Sequence, residues 1–144
     1  MPVKKISEEI MSNGTRPTVA TVFGVLNIIF GGFGLFGILG ALAWFSLGAP
    51  ILGILSVGSS LGSALLLFSG ILLVASKKNA LSVTNLAILV SLALTAASVI
   101  YGVAAGFQTI GTAISTIVVG LVYPALIFFL VLKNENVKSF YASR

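Results

Sequence analysis

The acidic side chains of this 144-residue sequence number three, Glu8, Glu9 and Glu135, and there is no Asp, His or Cys. Glu8 and Glu9 are adjacent, so on a helix they point to different faces and make a poor acid–base pair. Without His or Cys, neither a Ser-His-Asp nor a Cys-His centre can be assembled from this chain. A zinc site of the usual ligands is excluded on the same ground, as is haem or iron–sulfur ligation through His or Cys. No catalytic, cofactor-binding or metal-binding residue is therefore expected, and the chain is not expected to be an enzyme.

The remaining polar groups are amides, hydroxyls and cations. Asn27 lies within a long apolar run, where an unpaired amide is costly and needs a partner. Ser69, Thr95 and Ser98 are candidates. A bond that fixes helix register is the favoured reading over contact with a ligand. Ser91, Thr95 and Ser98 are spaced four then three apart, which places them on one helical stripe. A packing seam with the hydroxyls bonded back to their own helix is favoured over a polar pathway. With no ionisable residue in the apolar blocks, proton relays and ion-coupled transport are disfavoured. A path for a neutral solute, lined by hydroxyls and carbonyls, stays open.

The elements that carry these groups follow from the charge distribution. Apolar residues make up 58 % of the chain and charged residues 8 %, against about 25 % charged in a soluble domain. Residues 17–76 and 79–132 contain no charged side chain. A membrane crossing takes about 20 apolar residues, so each block holds two. The expected architecture is all-α, with four transmembrane helices at 17–44, 50–75, 80–104 and 112–132 in an up-down bundle. Pro17 suits a first helical position. The first helix would reach roughly 42 Å, more than the hydrocarbon thickness, so it must tilt or bend. The glycine-rich stretch 31–40 is the expected bend. Trp44 and Phe45 mark an interface. Pro124 should kink the fourth helix by freeing the Gly120 carbonyl. The first apolar stretch is too long for a secretory signal despite Ala41-Leu42-Ala43, which looks like a cleavage site.

Orientation comes from the eight basic residues. Lys4, Lys5 and Arg16 precede the first helix. Lys77 and Lys78 separate the second from the third. Lys133, Lys138 and Arg144 follow the fourth. All eight fall on one side of a four-helix arrangement, and both opposite loops have none, which predicts two cytoplasmic termini at the cell membrane. Residues 1–16 read as a cytoplasmic segment, where Val3, Ile6 and Ile10 could form a short interfacial helix. Residues 133–144 read as a basic tail whose Phe140 and Tyr141 could anchor at the interface. The same cations could gather anionic headgroups, although setting topology is the simpler role. The net charge of +5 does not point to nucleic acid, because the cations sit beside apolar blocks and no soluble part remains.

Small residues let helix backbones approach closely in a bilayer. Gly24, Gly31, Gly34, Gly37 and Gly40 line the first helix, and Phe30, Phe33 and Phe36 interleave with them. Gly58 with Gly62, and Gly102 with Gly106, repeat a small-xxx-small spacing. These are the helix-packing candidates together with Asn27. The expected role is a structural or accessory subunit of a larger membrane complex. The expected partners are membrane lipids and other membrane subunits, or further copies of itself. The alternatives are a small channel or carrier for an uncharged solute, or a lipid-binding, membrane-organising protein.

Overall fold

A computed structural model of the chain describes residues 15–144. The elements are α1 (Thr18–Leu35), α2 (Gly37–Ser46), α3 (Pro50–Val74), α4 (Ala80–Ala104), α5 (Ile110–Ile127), a π-helical turn (Phe128–Leu132) and α6 (Glu135–Ala142). No strand occurs among the described residues. Four helical stretches, Thr18–Ser46, Pro50–Val74, Ala80–Ala104 and Ile110–Leu132, are long and apolar enough to cross a membrane. They are called spans one to four below. The interfacial helix proposed for residues 1–16, with Lys4 and Lys5, lies almost wholly outside the described residues.

Span one is interrupted at Phe36, inside the glycine-rich stretch. There the Phe36 amide bonds to the Phe33 carbonyl at 3.1 Å and the Leu39 amide to the Phe36 carbonyl at 3.0 Å. These i→i+3 bonds tighten one turn and split the span into α1 and α2. Span four begins at Ile110, two residues before the expected start. Thr109 is extended, and its hydroxyl accepts from the Thr112 amide at 3.2 Å, which is an N-cap the apolar pattern does not reveal. Pro124 sits within α5, and the π-helical turn follows one helical turn later. The Lys133 amide reaches the Phe128 carbonyl at 2.9 Å, five residues back.

The ends of spans one to three share one device. Gly48 (φ 73°), Ser76 (φ 53°) and Gly106 (φ 74°) take left-handed backbone just past the helix. The Ala49 amide then bonds to the Trp44 carbonyl, the Lys77 amide to Leu72 and the Phe107 amide to Gly102, at 2.9–3.0 Å. This Schellman arrangement satisfies carbonyls that would otherwise lack a donor.

α3 is the central element and packs on α1, α2 and α4, while α5 packs on α4. The register of the first pair reads from the glycines. A Cβ at Gly24 would meet Leu73 and Val74, at Gly31 Leu67, at Gly34 Ser63 and at Gly37 Ser60. The partner numbers fall as the glycine numbers rise, so spans one and two run in opposite directions. Gly58 against Leu94 and Gly62 against Ser91 show the same for spans two and three. The main buried cluster gathers at the end that carries the cations, where Leu73, Ala80, Ile127 and Val131 meet Val137 and Tyr141 of α6. Phe140 and Tyr141, expected as interface anchors, are instead packed into this cluster. α6 folds back because its apolar positions 137, 140 and 141 form one helical face.

Candidate functional site

Asn27 is 0 % exposed, as are Ser69 and Thr84. Its amide nitrogen donates to Ser69 Oγ of span two at 3.0 Å. Its carbonyl oxygen accepts from the Tyr123 hydroxyl of span four at 2.5 Å. Ser69 donates onward to the Leu66 carbonyl at 2.7 Å. One amide therefore ties three spans, and both of its ends are occupied. The Tyr123 ring is held edge-on to Phe30 at 4.9 Å and tilted against Phe23 at 6.1 Å. Ser69 was among the partners expected for Asn27. Thr95 and Ser98 are not its partners, and Tyr123 was not foreseen. Tyr123 had a sequence signal: it is the only polar side chain in the second half of span four.

The glycines of span one separate into two groups. At Gly31 a Cβ would lie 2.7 Å from Leu67 Cα, and at Gly34 it would lie 2.6 Å from Ser63 Cβ. At Gly24 the nearest atoms are Val74 Cγ2 at 2.9 Å and the Gly70 carbonyl at 3.2 Å. Gly70, absent from the sequence candidates, is the reciprocal contact: a Cβ there would stand 2.8 Å from the Ile28 nitrogen and 2.9 Å from Asn27 Cβ. Backbone thus meets backbone beside the Asn27–Ser69 bond. Towards the uncharged end the contacts fade. Gly37 would meet only Ser60 Oγ at 3.1 Å, and Gly40 nothing within 4 Å.

The remaining packing candidates divide likewise. Gly58 and Gly62 face Leu94 and Ser91 across the span two–three contact. Gly102 receives the Gln108 side chain of its own connecting loop, not another span, and Gly106 has nothing within 4 Å. Gly106 takes left-handed backbone at φ 74°, and within the chain neither glycine of that pair meets another span. Gly120, which Pro124 relieves of a donor, lies opposite Thr95. Thr95 also lines an apolar cavity of about 200 Å³ between spans three and four, with Leu92, Val99, Ile117, Gly120 and Leu121. It is the only polar side chain in that wall.

At the basic end, two side chains complete the carbonyl caps of α3. The Tyr141 hydroxyl donates to the Leu73 carbonyl at 2.6 Å. Arg16 donates through Nη1 to the Val74 carbonyl and through Nε to Thr21 Oγ1 at 2.7 Å. A guanidinium at this position also complements the negative end of the helix dipole. Burial pushes the Tyr141 hydroxyl pKa up, with the Arg16 charge pulling the other way. Asn134 caps α6 by accepting from the Asn136 and Val137 amides. Among the described residues the only ion pair is Lys138–Glu135, at 2.8 Å and exposed, which contributes little. Lys133 lies over the Phe128 ring at 5.5 Å and Arg144 over the Phe140 ring at 4.7 Å. Lys77 and Lys78 are exposed on the turn between spans two and three.

No group of three or more metal-ligating side chains occurs among the described residues. What the arrangement can do is hold helices together at depth and present cations at one end. Comparison with protein-family models, with curated proteins and with solved structures finds no match to this chain.

Proposed function

We propose that this chain is a structural or accessory subunit that packs within a larger membrane protein complex. It would cross the cell membrane four times in up-down order, with the basic end and both termini in the cytoplasm. The observation that carries the reading is the use made of Asn27. The amide nitrogen and oxygen each already have a partner in the same chain, Ser69 and Tyr123, which favours a structural tie over a site for an ion or a solute. Span one leaves a second feature for a partner. Around Gly40, which has no neighbour within 4 Å, Phe33, Phe36, Leu39 and Leu42 are all more than half exposed. Small residues flanked by large apolar ones suit close approach of another membrane helix.

The test is purification in mild detergent followed by mass analysis. A defined stoichiometric membrane partner supports the proposal. A chain that always runs alone or only with itself sinks it. The orientation is tested separately by cysteines placed at Ser143 and Gly111. Labelling of Ser143→Cys from the cytoplasmic side and of Gly111→Cys from the other is expected, and the reverse would overturn it.

A further inference from the structure

The cations of the described chain come from separate segments, and the fold gathers them at one end. Arg16 precedes span one, Lys77 and Lys78 follow span two, Lys133 follows span four, Lys138 lies in α6 and Arg144 lies just past it. The Tyr141–Leu73 hydrogen bond docks α6 beneath the end of span two. It brings a residue three positions from Arg144 against one four positions from Lys77. Among residues 15–144 these six cations stand against one carboxylate, Glu135, which is paired with Lys138. Arg16 is held by the Val74 carbonyl and Thr21.

We infer that the basic end of the bundle is a binding surface for anionic phospholipid headgroups, formed by Lys77 and Lys78 on the turn and by Lys133 and Arg144 on the docked tail. Three observations single out lipid over a soluble anion. First, the depth is right. Lys77 lies three residues beyond the last residue of α3, and Lys133 directly follows the last apolar residue of span four. With the four spans in a bilayer, both ammonium groups would leave the apolar zone at the level of the headgroup phosphates. Second, one of these cations adjoins exposed aromatic rings. Lys133 sits over Phe128, which is 39 % exposed, and Phe129 beside it is 66 % exposed. A diacyl lipid can lay its chains on those rings while its phosphate meets the ammonium. Third, α6 turns Val137, Phe140 and Tyr141 inward. Its cations are thereby left at the rim and not buried under the bundle. The inference rests on the reading of the chain as membrane-spanning and does not depend on any protein partner.

The experiment is electron spin resonance of spin-labelled lipids around the full chain reconstituted in phosphatidylcholine bilayers. It compares labelled phosphatidylglycerol with labelled phosphatidylcholine. A lysine or arginine near an anionic headgroup contributes about 1 kcal/mol, a factor of about five in association. The unaltered protein should prefer phosphatidylglycerol several-fold in the motionally restricted population at low salt. Lys77→Gln/Lys78→Gln/Lys133→Gln/Arg144→Gln should bring the preference close to one. A charge-keeping variant, Lys77→Arg/Lys78→Arg/Lys133→Arg, should retain it. Raising salt to about 1 M, where screening acts within about 3 Å, should weaken it without any substitution. Equal restriction of both lipids by the unaltered protein at low salt would overturn the inference. So would a preference that survives the glutamine variant, or one indifferent to salt. If the glutamine variant does not fold, the salt series alone decides. Absence of any restricted lipid of either kind would instead overturn the membrane reading itself.

Discussion

Tyr123→Phe isolates the bond that ties span four to the rest of the chain. The substitution removes one oxygen and keeps the ring contacts with Phe30 and Phe23. The Asn27 carbonyl oxygen, fully buried and bonded to Tyr123 at 2.5 Å, would lose its donor. A buried acceptor left without a partner costs about 1–3 kcal/mol. Hydrogen bonds between membrane helices are worth less than that range implies, about 0.6 kcal/mol on average and about 1.7 at most. The amide has no exposure through which water or lipid could compensate, so the upper part of the membrane range applies. A loss of about 1–2 kcal/mol is expected. Asn27→Ala should cost at least as much, because it also strips the bond to Ser69. The informative quantity is the coupling in the double-mutant cycle, expected at about 0.6–1.7 kcal/mol. Reversible unfolding in mixed micelles can be followed through Trp44, the only tryptophan, whose ring packs edge-on to Phe107 at 5.9 Å. If Tyr123→Phe costs as much in the Asn27→Ala background as in the unaltered chain, the hydroxyl and the amide are not partners. The three-span tie then does not exist.

The glycine contacts make a paired prediction: Gly31→Ala should cost about 1–3 kcal/mol by overpacking against the Leu67 backbone. Gly40→Ala should be neutral or stabilising by up to about 1 kcal/mol, since Ala is the better helix former and has open space there. Equal effects of the two in the same unfolding assay would contradict the register of spans one and two. Ser76→Gly should stabilise the chain by about 1 kcal/mol, because a residue other than glycine holds left-handed backbone at φ 53°; a lower unfolding midpoint would contradict the cap. Docking of α6 should weaken at high pH. Tyr141 keeps its proton more tightly when buried than when free, so docking is insensitive to pH below about 9 and is lost as pH rises past the free value of about 10. Hydrogen exchange of residues 135–142 should show this loss, and Tyr141→Phe should remove the part due to the hydroxyl. Finally, Thr95→Cys, in an apolar cavity, should resist a membrane-impermeant thiol reagent from both sides. Ready labelling would favour the reading as a solute path.

The four apolar spans were legible because charge is excluded from lipid at high cost, which leaves long blank stretches in the sequence. The turn at 76–79 was legible through Lys77 and Lys78, and the uncharged turn at 46–50 through Gly48 and Pro50. Thr109 was not, since a single hydroxyl cap leaves no periodic signal. The glycine stripe of span one was visible, but which of its members touch a neighbour was not. Gly31 and Gly40 have the same spacing pattern, yet only the course of α3 decides that the first meets backbone and the second meets nothing. The need of Asn27 for a partner was likewise visible, and its identity was a matter of register between elements nearly 100 residues apart. α6 was the largest omission, because an eight-residue helix with Lys138 and Glu135 reads as a polar tail by composition. Its docking adds a Tyr141 donor to the Leu73 carbonyl, which already accepts the Ser76 amide, while Arg16 supplies a donor to the Val74 carbonyl. Tyr141 and Arg16 reach that helix end from opposite ends of the chain. The same two contacts hold α6 and the start of span one against the end of span two, the end at which Lys77 and Lys78 stand.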